Sequence, residues 1–147
     1  MHRKIIPDIV QFQTACALSP SDSARAAAEC MAERNVAASV VLEDGNLVGI
    51  VTERDLTRKV VATGNTPDAT TLAEIMTPNP DTLSPDDTAY SALRLMQTRH
   101  VRHLPVVDNG QVVSMVSIRD LYASITDELE HDIKETEAFV FGDRYGA

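Results

Sequence analysis

The chain has no tryptophan, and three tyrosines with three phenylalanines bring its aromatic content to only 4% of 147 residues. Its core must therefore be aliphatic, built on Val, Ile, Leu, Met and Ala. Two cysteines, Cys16 and Cys30, are too few for a disulfide-framework domain, and neither has neighbours at zinc-ligand spacing. At this length neither device is needed, because folding buries enough surface on its own. Basic residues are also scarce, 13 against 22 acids, for a formal charge of −9. That balance argues against a broad nucleic-acid-binding face. No apolar run approaches the ~20 residues of a membrane helix. Arg3-Lys4 is followed by no long apolar stretch, so no secretory signal is expected and a cytoplasmic location is. In that setting Cys16 and Cys30 are expected as free thiols, Cys30 packed in a helix core. No nucleophile elbow, Walker loop, metalloprotease motif or Ser-His-Asp order appears, so no enzyme and no catalytic cofactor is expected.

What the chain does have is an internal duplication. Gly49-Ile50-Val51-Thr52-Glu53-Arg54-Asp55-Leu56 returns 65 residues later as Ser114-Met115-Val116-Ser117-Ile118-Arg119-Asp120-Leu121. Without gaps, 16 of 39 positions agree between Leu18–Leu56 and Leu83–Leu121. Each copy reads the same way. Ser19-Pro20-Ser21-Asp22 looks like a capping box opening a helix that runs to about Asn35, and Ser84-Pro85-Asp86-Asp87 caps a helix expected over Thr88 to Arg99. Short apolar strands follow at Ala38–Leu42 and His103–Val107, then Gly-containing turns at Asp44-Gly45 and Asn109-Gly110, then return strands at Leu47–Val51 and Val112–Val116 that run into helices starting at Thr52 and Ser117. A strand is expected around Ile9–Phe12 and a linker over residues 63–81. The last helix carries Ile125, Leu129 and Ile133 at i, i+4, i+8, a spare apolar stripe suited to its own core or to a second subunit. The aromatic tail, with Phe139 and Phe141, is expected to dock on this subunit or a partner. One repeat alone would leave a sheet face uncovered, so the two should pack with pseudo-twofold symmetry.

At each junction a hydroxyl stands where a buried strand becomes a helix, with Asp three residues on. A helix N-terminus favours anions. The hydroxyl can donate to phosphate, and the carboxylate can accept both hydroxyls of a ribose diol, a role acids play in other nucleotide folds. Arg54 and Arg119 add charge. The plain alternative is that Thr52-x-x-Asp55 and Ser117-x-x-Asp120 are only capping boxes. Capping does not require the Arg that recurs in both copies. His100-x-x-His103 lacks a third ligand, so no metal site is expected. With Arg99 and Arg102, these histidines are candidate phosphate contacts instead.

The order strand–helix–strand–strand–helix, closed by hydrophobic-[ST]-x-R-D-L, resembles the CBS domain. Arg102-His103-Leu104-Pro105-Val106-Val107-Asp108 resembles that family's second strand, and Met76-Thr77-Pro78 its lead-in to a second unit. The resemblance implies an α/β fold of two β-α-β-β-α repeats, residues 8–66 and 76–133, followed by a helix end and tail at 134–147. It also implies a stand-alone regulatory pair that binds an adenine nucleotide such as AMP, ADP or ATP in clefts between the repeats, senses energy state, and signals to a partner protein as a homodimer. On the family's pattern the ligand contacts are Thr52, Arg54, Asp55, Ser117, Arg119 and Asp120. Ala38-Ser39, His103-Leu104-Pro105, Ala17 and Thr82 border the adenine. Two departures stand out: Ser114 replaces the expected glycine and should crowd the second cleft, and Val40 stands where the second copy has Pro105. The basic residues around the second junction make it the expected tighter cleft. The competing reading is a ligand-independent interaction module.

Overall fold

The structure, a computed structural model, describes residues 3–13 and 16–145, with side chains as far as Val140. The first repeat contains β1 (Ala17–Leu18), α1 (Ala24–Arg34), β2 (Ala38–Glu43), β3 (Asn46–Thr52) and α2 (Glu53–Leu56, continuing as a wider turn over Thr57–Val61). Then come α3 (Leu72–Ile75) and β4 (Thr77–Pro78). The second repeat contains α4 (Ala89–Arg99), β5 (His103–Asp108), β6 (Gln111–Ser117) and α5 (Ile118–Tyr145). Both hairpins turn on two residues with positive φ, Asp44-Gly45 and Asn109-Gly110, as their sequences require. Both first helices end on a left-handed residue, Asn35 and His100.

The first helix of the first repeat starts four residues later than Ser19-Pro20 suggests, whereas α4 follows the expected Thr88–Arg99 span, with Thr88 as its cap. Ser23 and Thr88 are the caps, accepting from the Ala26 and Ser91 N–H groups at 3.1 Å. The Ser19–Asp22 and Ser84–Asp87 boxes do close, but as isolated turns (2.7 and 2.8 Å). The reason lies in the other half of the chain. The Asp22 carbonyl accepts the Leu72 N–H at 2.9 Å, and the Asp87 carbonyl accepts the Ile5 N–H at 2.9 Å. A carbonyl inside a helix would be consumed by its own i+4 N–H instead.

These two bonds belong to a reciprocal exchange. Ala24 N–H donates to Thr70 and Ala89 N–H to Arg3 (2.8 and 3.0 Å), while Ala73 N–H donates to Pro20 and Ile6 N–H to Pro85 (3.0 and 3.1 Å). Residues 3–10 thus pack on the second repeat, where Ile5, Ile6 and Val10 join Leu104, Val106, Val116 and Leu121. Leu72 and Ile75 pack on the first, with Val41, Val51 and Val60. The stretch read as a linker therefore carries core residues. The strand expected at Ile9–Phe12 does not form. A wide turn over Ile5–Ile9, with a cis Ile6–Pro7 bond, precedes it, and only the Gln13 N–H reaches β6, at Val113.

β1–β4 make one sheet in that order, β1 parallel to β2 and the rest antiparallel; β5 and β6 make a hairpin of matching register. In the first repeat the Val40 N–H donates to the Cys16 carbonyl at 2.8 Å. Its counterpart Pro105 has no N–H, so the first strand of the second repeat shrinks to a single bridge, Leu83 to Val106. Cys16 and Cys30 are bonded to each other, not free as expected, because the chain entering β1 lies against α1 with the two Cα atoms 6.2 Å apart. Their spacing in sequence carries no sign of that approach.

On α5, Ile118 and Leu121 pack into the core, but Leu129 and Ile133 are exposed, so the stripe does not serve this chain's own core. Phe139 is exposed as well, and the expected docking of Phe141 falls outside the described side chains. No helix among the described residues is long and apolar enough to cross a membrane.

The exchange makes a testable claim. Ile5→Ala and Leu72→Ala each remove a fully buried side chain from the repeat they invade. Each should cost about 2–5 kcal/mol in urea unfolding. A loss under about 1 kcal/mol for Ile5→Ala would mean that its segment does not close the second repeat.

Candidate functional site

Strand alternation sorts the side chains of each hairpin. Ser39 and Val41 of β2 face the helices with Val51; Ala38 and Val40 face the other way. In β5, Leu104 and Val106 face the helices, while His103 and Pro105 face the other way. Val40, Ile50 and Pro105 are buried without belonging to either helix-side core, and β3 lies against β6. The helix-free faces of the two sheets therefore cover one another, as the uncovered-face argument requires.

Ser114 does not enter the cleft. It pairs with Val106 on the helix side and is buried there, its hydroxyl without a partner among the described residues. Its counterpart Gly49 makes room for Met76, with which a Cβ would collide. The glycine accommodates a crossed segment, so the expected crowding of the second cleft does not occur. Ser39 likewise turns its buried, unpartnered hydroxyl toward the helices. Leu104 is a core residue, leaving Ala38, His103 and Pro105 on the inter-repeat face.

Both junctions have the same geometry. Thr52 N–H and Oγ1 donate to Asp55 Oδ2 at 2.9 and 3.1 Å, and the Asp55 N–H donates back to Oγ1 at 3.3 Å. Ser117 N–H and Oγ donate to Asp120 Oδ2 at 2.9 and 2.9 Å, and the Asp120 N–H returns at 3.1 Å. The first helical N–H of each junction is also taken, Glu53 by the Ala37 carbonyl and Ile118 by the Arg102 carbonyl. The hydroxyl and acid are thus capping boxes in full. Each carboxylate nevertheless keeps its Oδ1 outside the cap.

The remaining predicted residues are placed as follows. Ala17 opens β1 opposite Val40 and lines an opening of about 460 Å³ with Val112 and Val113 of the other repeat. No junction side chain lines that opening. Thr82, exposed, precedes the Leu83 bridge; Arg54, Arg102 and Arg119 are exposed at the surface. Arg99 is turned to Asp81 at 3.3 Å, and His100 is the exposed cap of α4. His103 stands beside Ser117 across the hairpin. Burial pushes its imidazole below the ordinary histidine range, against the pull of Asp120 and Glu53 and with some help from Arg102. Glu53 follows Thr52, so this histidine of the second repeat feels the junction of the first as well as its own. Sequence reasoning missed Glu53 in this role. It also missed Lys59, which pairs with Asp55 Oδ1 at 3.2 Å; an acid followed four residues later by a lysine was the available signal.

With this geometry in place, the comparisons are direct. A sequence model of the CBS domain matches residues 1–62 and 72–127, and the chain belongs to that family. The mitochondrial CBS domain-containing protein CBSX3 of Arabidopsis thaliana is 32% identical over 126 residues, 82% of this chain and 61% of its own length. A putative signal-transduction protein with CBS domains from Burkholderia ambifaria superposes with TM-score 0.74 at 35% identity, over 78% of this chain and 84% of that one. The CBS domain protein PAE2072 from Pyrobaculum aerophilum, solved complexed with AMP, does so at 0.69 and 28%, over 76% and 86%.

The depressed His103 pKa fixes a sign for acid stability. The unfolded chain binds a proton there at about pH 6.5 while the folded chain resists it. Stability should be full above that value, fall as pH drops through it, and level off below the folded pKa. His103→Asn should flatten this part of the curve in pH-dependent urea unfolding. An unchanged slope would place the titration elsewhere.

Proposed function

We propose that this CBS pair is a regulatory module that binds an adenine nucleotide between its repeats and passes occupancy to a partner protein. The observation that supports this most is the repeated junction. Twice the chain sets a hydroxyl and a carboxylate at the edge of the covered inter-repeat face, with an exposed Arg between them in sequence. AMP in the related Pyrobaculum structure supplies the ligand class. The carboxylate would accept the ribose hydroxyls on the oxygen its cap leaves over. The hydroxyl would stay on that carboxylate and hold it in place, while Arg54 or Arg119 would pair with the phosphate. Ala38 and Ala17 on one side, and His103, Pro105 and Thr82 on the other, would border the base.

A ligand held between repeats shifts the population of their arrangements by its differential affinity for them. Such a shift of population is the means by which occupancy would be passed on. The ligand-independent reading has its own support, because both caps are complete without any ligand.

Thermal unfolding with AMP, ADP, ATP and S-adenosylmethionine separates the two. A nucleotide at 100 times its Kd should add about 2.7 kcal/mol; no shift with any of them would leave the junctions as caps only. Asp120→Ala should weaken binding by roughly tenfold or more, through a lost charge-assisted hydrogen bond of about 1.5–3 kcal/mol. Its own fold must be checked by melting, because it also loses a capping acid. We further propose a homodimer that covers Leu129 and Ile133 of α5. Light scattering at micromolar concentration should then give twice the chain mass, and a monomer at every accessible concentration would rule it out.

A further inference from the structure

The two junctions differ at one side chain that reaches the ligand-reading carboxylate. Lys59 lies one turn after Asp55 and pairs with its Oδ1 at 3.2 Å. The same ammonium donates to the Ile75 carbonyl at 2.8 Å, so it is held from both sides. The repeat offset of 65 residues puts Ser124 at the equivalent place in α5. Ser124 is buried, and its hydroxyl and carbonyl accept from Arg3 Nη1 at 3.1 and 3.4 Å. Among the described residues no ion pair reaches Asp120. His103, across the hairpin from Ser117, has its pKa lowered by burial against the pull of Asp120.

A carboxylate has about four lone-pair positions. On Asp55, Thr52 takes two and Lys59 a third, leaving one. On Asp120, Ser117 takes two and the Oδ1 pair is left over. A ribose diol needs two acceptor positions. We propose that Lys59 is a specificity-determining residue of the first cleft, limiting Asp55 to one ribose hydroxyl while Asp120 takes both. The clefts are then unequal by construction. The second reads the full diol of an adenine ribonucleotide, and the first discriminates poorly between ribo- and 2′-deoxyribonucleotides. This rests on the nucleotide reading above. It also gives the tighter second cleft, expected from basic residues near that junction, a different cause.

The test uses calorimetry at pH 7.5–8 on the full chain carrying Asp120→Ala, so that the first cleft dominates the heat, with AMP and 2′-deoxy-AMP as probes. Adding Lys59→Met should tighten AMP about three- to tenfold and leave 2′-deoxy-AMP unchanged. Lys59→Arg, which can keep the contact to Asp55, should behave as lysine does. The same comparison in the chain with Asp120 intact serves if the double variant melts early; there the weaker of two binding phases should show the change. AMP binding that does not respond to Lys59→Met overturns this proposal alone, and so does an equal gain for both nucleotides. No binding of either nucleotide by the unsubstituted chain overturns the nucleotide reading itself, and this proposal with it.

Discussion

The exchange of lead-in segments is the constraint on which the rest depends. A unit of about 60 residues buries a smaller share of its surface than a larger domain and is correspondingly marginal. Here each helix-side core is completed by an apolar segment from the other half of the chain: Ile5, Ile6 and Val10 in one, Leu72 and Ile75 in the other. Neither repeat can therefore drift from its partner without opening both cores. The sheet faces that cover each other, and the junctions at their edges, are held by that crossing within a narrow range of arrangements. A ligand between them meets a site whose walls are already positioned, which lowers the ordering cost of binding.

The junction groups are also committed to the fold. The hydroxyl of Thr52 or Ser117 caps a helix, and the acid that receives it closes the box. Capping fixes the carboxylate's direction and occupies one of its oxygens, so the other has a defined place. A carboxylate left loose at a helix end would pay side-chain entropy on meeting a diol; a capped one has already been ordered by folding. On the proposed reading, structural and ligand-reading roles would be successive uses of different lone pairs on one group.

Much of this was legible in the sequence because it is local. Asp44-Gly45 and Asn109-Gly110 demand their turns, and the hydroxyl-x-x-Asp spacing demands the junction caps. What could not be read came from distant segments. Ser19 carries a good cap signal, yet the first helix starts later because the Asp22 carbonyl is committed to a crossed lead-in. The residues 63–81 looked like a linker because α3 is too short to show periodicity, although Leu72 and Ile75 are core. Ser114 was assigned to the wrong face, since the glycine it replaces clears space for Met76, a contact from the other lead-in. The Cys16–Cys30 bond also depends on a tertiary approach of β1's entry to α1.

Duplication makes the differences between the copies more informative than their likenesses. Many identical residues, such as Met31/Met96, Val51/Val116 and Gly45/Gly110, belong to the core or the turns, which either repeat needs in order to fold. Where they diverge, each change is answered by a neighbour. Pro105 in place of Val40 removes a strand bond, and the parallel pairing at Leu83 contracts accordingly. Ser114 in place of Gly49 fits because the second repeat has no Met76 pressing on it. Ser124 in place of Lys59 is different in kind. Its hydroxyl is satisfied by Arg3, so the core loses nothing, but the neighbouring carboxylate loses its cation. A change that leaves packing satisfied while altering the charge around a ligand-facing acid is the form that divergence in binding would take. On the proposal for Lys59, the two clefts would differ in the arrangement of acceptors, because the shape of the fold is common to both.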